Sequence, residues 1–188
     1  MLLLAATPAE ARGVLYADIG NGVSVPVGGS EWRHRFAASY KFSFRAGIEW
    51  QVHKHVLLGP ELTVEAIAQN PRDSTYWDRG LDAHYTRTRA TIGGRLGIPF
   101  PKGAFFLRAG LGLDYCGGWT RIRGLPKVEY DSLSVAVSPG AGLLFFPIKY
   151  LEVGAWFGPT IAIFDFNDSA GRFVAVDFDA VLSIGGRL

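Results

Sequence analysis

The residues that can carry charge chemistry in this chain are spaced by twos. In 36–50, FAASYKFSFRAGIEW, Lys41, Arg45 and Glu49 share one phase of an unbroken alternation, and aromatic or aliphatic side chains dominate the other. Glu61 and Glu65, then Arg87, Arg89 and Arg95, then Arg108 and Asp114, then Glu152, then Asp177, Asp179 and Arg187 repeat the arrangement further along. That makes seven cations against seven anions on the polar phase. Buried charges persist only when paired and hydrogen-bonded, so the equality suits a closed network of interior ion pairs. Other reactive residues are few. His53 and His55 flank Lys54, and an H-x-H pair can ligate a metal, but the stretch reads as a solvated tight turn and no metal site is expected. Cys116 is the only cysteine, which excludes an intrachain disulfide and a cysteine-based zinc site. It reads as a small packing residue. Trp32, Arg33, His34 and Arg35, with Trp119, Arg121, Arg123 and Lys127, form a candidate contact surface, a basic rim suited to phosphates or an anionic partner. Ordinary solvated loop charge is the alternative reading of that rim. No catalytic residues and no cofactor are expected.

The bulk numbers fit this picture. A chain of 188 residues suggests one domain with a real core. Its net charge of +2, from 19 basic and 17 acidic residues, gives no global attraction to nucleic acid, and no nucleic-acid partner is expected. Abundant glycine (24) and aromatics (13%) point to an all-β chain. No run of 18 apolar residues exists, so a spanning helix is excluded. The opening MLLLAATPAEA joins a short apolar run to Ala9-Glu10-Ala11, an A-x-A-like cleavage pattern, so 1–11 reads as the remnant of an export signal and 12–188 as the folded domain.

Eight stretches must position the charges: 11–21, 36–50, 56–69, 84–98, 104–116, 133–146, 150–164 and 173–188. Each alternates with the period of a strand. The connections alternate too. Short turns are expected at 51–55, 99–103 and 147–149, and longer loops at 22–35, 70–82, 117–132 and 165–172. That is the rhythm of an antiparallel up-and-down meander, and an even strand count puts both chain ends on the trim side. Pro60, Pro139 and Pro159 fall inside strands, where proline cannot donate to the ladder, and a bulge is expected where Pro139 and Pro159 neighbour each other.

The oily face carries no charge in the strong stretches of strands two to eight. Its side chains would overfill an eight-stranded interior, which is barely wide enough for small contents. The polar face holds Gly47, Gly93, Gly97, Gly110, Gly112, Gly140, Gly142, Gly154, Gly158 and Gly185, which weaken an exposed strand but make room inside a narrow barrel for a neighbour's Arg or Glu. The oily face therefore points outward, to lipid. Strands of 13–16 residues exceed the roughly 9–11 a tilted membrane strand needs, so several should project beyond the bilayer. Trp50, Phe100, Phe146 and Tyr150 near the short turns, with Phe36 and Tyr115 near the long loops, suit two aromatic girdles. An interior filled by ion pairs is favoured over a water-filled pore, because eight strands leave little lumen.

With this pattern over almost its whole length, the chain resembles the small eight-stranded bacterial outer-membrane β-barrels of the OmpA/OmpX type. The resemblance implies an all-β transmembrane barrel with short periplasmic turns, longer extracellular loops and both termini periplasmic. It implies membrane lipid and lipopolysaccharide as surroundings, the outer-membrane assembly machinery as a partner, and an extracellular or envelope protein as a further one. Such barrels usually end in Phe or Trp; this chain ends SIGGRL. The expected function is a structural or interaction barrel, with a narrow passive channel as the alternative. A lipid A palmitoyltransferase of similar type keeps a His in its first long loop and an Asp-Ser pair in its second, matched in position by His34 and Asp73-Ser74. Asp-Ser also recurs at 131–132 and 168–169, and the amphipathic N-terminal helix of that enzyme is absent, so enzymatic activity is not expected.

Overall fold

Period-two alternation commits each strand to two faces, and eight such strands can hide one face only by closing on themselves. The computed structural model describes residues 13–72, 81–122, 124–166 and 171–188. The strands are β1 (Gly13–Gly28), β2 (Ser39–His53), β3 (Val56–Gln69), β4 (Leu81–Phe100), β5 (Gly103–Ile122), β6 (Val128–Ile148), β7 (Leu151–Phe166) and β8 (Gly171–Arg187). Every neighbouring pair is antiparallel, and β1 pairs with β8 from Tyr16↔Arg187 to Gly28↔Val176, which closes the barrel. The N-terminal segment read as an export signal lies outside the described residues.

The faces sort as the alternation demands. Ile92 is 69% exposed, Leu111 57% and Leu182 71%, all pointing outward, whereas Lys41, Arg45 and Asp114 are completely buried inside. At one end, two-residue turns join the strands: Lys54-His55, Pro101-Lys102 and Lys149-Tyr150. Lys102 takes φ 65°, which, after Pro101, is the pattern of a type II turn.

At the other end the chain departs from expectation. Residues 22–35 are not a loop: β1 continues to Gly28, carrying Val23, Val25 and Val27 outward, and a six-residue helix α1 (Ser30–Arg35) follows. Gly29, at φ 76°, turns the chain between them, where a Cβ would run into the backbone of Val174. The helix brings Trp32 and Phe36 inward, so Phe36 is buried and does not belong to an outer girdle; β2 begins only at Ser39. Phe146 also faces inward, under the Arg187 guanidinium at 4.0 Å. The 117–132 segment is mostly strand, because Thr120↔Val128 and Gly118↔Tyr130 extend the β5–β6 ladder to a short connection. β4, β5 and β6, of 20, 20 and 21 residues, therefore form a ribbon that overshoots the 14–17 residues of the other strands.

No bulge forms at Pro139 and Pro159. Ala136↔Ala162, Val137↔Ile161 and Ala141↔Phe157 keep one register, and the three intervening pairs are simply unpaired. Ser138 Oγ and Thr160 Oγ1, 3.0 Å apart, bridge that gap with a side-chain hydrogen bond. The register shifts fall elsewhere, at Pro26/Gly28, Gln51/His53 and Phe145/Ile148.

Candidate functional site

The inward phase brings the charged side chains together in two tiers. In the upper tier, toward α1, β4 supplies Arg87 and Arg89 two residues apart, so both point inward. Arg87 grips Asp114 through Nε–Oδ1 at 2.8 Å and Nη2–Oδ2 at 2.6 Å, and its other Nη donates to Asp177. Arg89 donates to Asp114 at 2.9 Å, Glu65 at 2.8 Å, Asp179 at 2.9 Å and the Thr160 hydroxyl at 3.0 Å. Lys41 lies 2.8 Å from both Glu65 and Asp179. Three cations thus answer four carboxylates contributed by β3, β5 and β8.

The lower tier lies toward the short turns. Arg95 and Arg187 share Glu49 at 2.8 and 2.9 Å. Glu152 stands farther off, 3.9 Å from Arg187 and 4.0 Å from Arg95. Arg108 meets Glu61 at 3.0 Å and donates to Thr63 at 2.7 Å, while the Tyr16 hydroxyl donates to Glu61 at 3.1 Å. Arg45 forms a two-point pair with Asp18, Nε–Oδ1 and Nη2–Oδ2 both 2.9 Å, and also donates to Ser183 at 3.0 Å.

All fourteen charged residues picked from the alternation occupy these tiers. Asp18 is an addition. Its signal was the same alternation, obscured by the Gly20-Asn21-Gly22 that follows it. The aromatic filling was also missed. Trp156 separates the tiers, with Lys41 Nζ 4.9 Å and the Arg108 guanidinium 4.5 Å from its ring centroid. Arg95 stacks 3.8 Å from Tyr16, and Arg87 lies 5.1 Å from Trp32 and 5.0 Å from Phe164. A guanidinium is weakly hydrated and flat, so an aromatic face serves it where another carboxylate would not fit.

Trp32 closes the upper end from within. Its Nε1 donates to Asp177 Oδ1 at 2.9 Å, and its ring stacks on Phe164 at 5.3 Å and tilts on Phe36 at 4.4 Å. Cys116 packs in this cluster beside Tyr85, Ala136, Ala162 and Ala175.

The basic rim is dispersed. Trp32 is inside, Arg33 and His34 are exposed, and Arg35 lies over the Phe173 ring at 4.6 Å. Arg121 faces Asp82 at 3.5 Å, and Lys127 pairs with Glu129 at 3.1 Å while covering Trp119 at 5.0 Å. Arg123 and Asp73-Ser74 lie outside the described residues. His53 and His55 have ring centroids 5.7 Å apart in the exposed turn, and the described residues contain no cluster of metal-ligand side chains.

A barrel of this strand number, closure and face pattern has clear counterparts among solved structures. The attachment invasion locus protein Ail of Yersinia pestis superposes with a TM-score of 0.55 at 14% identity, over 95% of this chain and 99% of that one. A major outer membrane protein of Thermus thermophilus gives 0.60 at 9% identity, over 94% and 99%. Neisserial surface protein A gives 0.51 at 13% identity, over 94% and 96%. The fold is that of the small eight-stranded outer-membrane barrels. No protein-family model matches the sequence, and no curated protein does. At such low identity the likeness rests on strand number, closure and overall shape.

Proposed function

We propose that this protein is an integral barrel of the bacterial outer membrane with a structural or interaction role. Its interior is filled by the two-tiered ion-pair network, and its long-loop end contacts lipopolysaccharide or a protein partner. The observation that carries the reading is the inversion of faces. Leucine, isoleucine, valine and phenylalanine cover the outside of every strand, while arginine, glutamate and aspartate are buried within. Water is a poor solvent for such an exterior, and lipid requires backbone groups to be satisfied internally, which a closed barrel does. Solved counterparts that are named outer-membrane proteins support the location. One Ail structure is a complex with the heparin analogue sucrose octasulfate; Arg33, exposed on α1 and outside the ion pairs described, is the rim residue that such a polyanion would suit here.

Membrane placement is tested by nitroxide or fluorophore labels at Leu111→Cys and Leu182→Cys in vesicles. Strong quenching by lipids labelled in their acyl chains is expected, and labels accessible only to water-soluble quenchers overturn the reading. A narrow channel is the second reading, favoured by the oxygens of Glu152 and by Arg95 and Arg108 nitrogens that find no hydrogen-bond partner among the described residues. Planar-bilayer recording decides between the two: a silent wild type supports the filled interior, and stable unit steps abolished by Arg95→Ala or Glu65→Ala establish the channel.

A further inference from the structure

The outward face of the projecting ribbon carries a notch outside the interior network. Its rows follow from the strand register. His84, Trp119 and Glu129 stand side by side on β4, β5 and β6, and Thr86, Gly117 and Asp131 form the next row down. Below them come Thr88, Tyr115 and Leu133, the first residues of the apolar belt. Gly117 at the centre leaves a hole in the side-chain layer, over which Tyr115 leans: a Cβ there would meet its hydroxyl at 2.8 Å. The result is an open cavity of about 530 Å³ with aromatic rings above and below and carboxylates on one side.

Charge selects the occupant. Among the described residues, the outward ion pairs of this ribbon are Arg121–Asp82 and Lys127–Glu129, and Asp131 belongs to neither. Asp131 is exposed yet adjoins Leu133 and Tyr115, so a bare carboxylate faces the edge of the apolar belt. The protein's own ammonium shows what the neighbouring ring accepts: Lys127 Nζ sits over Trp119 at 5.0 Å while bound to Glu129 at 3.1 Å. Aromatic faces and carboxylates together recognise ammonium groups, and repel phosphate. The geometry points to a binding site for an organic ammonium group, with Asp131 as counter-ion, Trp119 and Tyr115 as aromatic walls and the Gly117 hole as its seat. At this height the group comes from a lipid headgroup or from a free amine. The lipid source rests on the membrane placement proposed above; ammonium binding itself does not.

Choline chloride titrated into the full chain in maltoside micelles, against matched sodium chloride, tests the site through the Gly117 amide and Trp119 indole signals. A saturable shift is expected. Asp131→Asn should weaken it about fivefold and Trp119→Leu, read at Gly117, about threefold. Both positions lie on the ribbon face away from the interior, and unchanged spectra elsewhere certify the fold. In nanodiscs of fixed phosphatidylglycerol content, weaker apparent choline affinity when the remainder is phosphatidylethanolamine than when it is an uncharged galactolipid assigns the site to headgroups, and equal affinity assigns it to free amines. No saturable shift, or one that both variants leave unchanged, overturns the inference.

Discussion

The Arg45–Asp18 pair gives a quantitative test of whether the interior is dry. Both side chains are fully buried, Arg45 Nε donates to Asp18 Oδ1 at 2.9 Å, an ionic contact of 2.9 Å joins Nη2 to Oδ2, and Asp18 has Arg45 as its ion-pair partner. Asp18→Leu removes that partner and leaves the guanidinium one hydrogen bond, to Ser183 at 3.0 Å, with aromatic rings at 5.7 and 6.0 Å and the carboxylates of Glu61 and Glu152 beyond ion-pair reach. An uncompensated buried charge costs about 3–5 kcal/mol, and Arg45→Met should cost a similar amount by stranding the carboxylate. The double variant removes both charges and keeps volume in place, so it should lie within about 1–2 kcal/mol of the parent, the loss of the Ser183 hydrogen bond included. Urea unfolding in vesicles, followed by tryptophan fluorescence, measures the full double-mutant cycle. The outcome against the reasoning is an Asp18→Leu midpoint within error of the parent. A solvated pair contributes only about 0–1 kcal/mol, so that result would place water throughout the lower tier.

Other changes probe other parts of the barrel. Trp32→Ala removes the hydrogen bond to Asp177 and the stack on Phe164, costs about 3–5 kcal/mol, and should speed maleimide labelling of Cys116 in the folded protein. Gly112→Val should prevent closure, because a Cβ there would meet Thr91 Cα at 2.6 Å and the Ala90 carbonyl; loss of the compact, unheated gel mobility reports it. Ile92→Arg, on the outward face, should destabilise the barrel by about 2–4 kcal/mol in vesicles if the site lies near the bilayer midplane, and far less where the shell is thin detergent.

Much of the architecture was legible because one rule, alternation, governs nearly every strand. Charges two residues apart, such as Arg87 and Arg89 or Asp177 and Asp179, must share a face, and the oily phase between them must take the other. What escaped obeyed competing physics. Val23, Val25 and Val27 alternate properly, but Gly20 and Gly22 before them and Pro26 among them look like turn chemistry, so β1 reads as stopping early. Phe36 has the phase of a lipid-facing residue, yet Gly29 and the six residues after it fold into a helix that carries Phe36 inside. No period identifies so short a helix. Trp156, Phe106 and Leu144 sit on the polar phase, where a contrast of oily against polar faces hides them. The proline pair suggests a shift in register; a hydroxyl pair, Ser138 and Thr160, spans it instead, and neither sequence position announces the other.

Arg89 belongs to β4, yet the groups it binds come from β3, β5, β7 and β8. Glu65 and Asp114 face it directly from the strands on either side, and Glu65 also serves Lys41 on β2. Asp177 and Asp179 on β8, however, find their ion-pair partners on β2 and β4, across the barrel. Seven of the eight strand pairings join sequence neighbours; only β1 with β8 spans the chain. Until that last seam closes, Asp177 and Asp179 stand apart from their cations, so an open meander carries bare carboxylates that hydrocarbon rejects. Entry into lipid and completion of the ring are thereby locked into a single all-or-none event, and the charges act as a checkpoint that bars unfinished barrels from the bilayer.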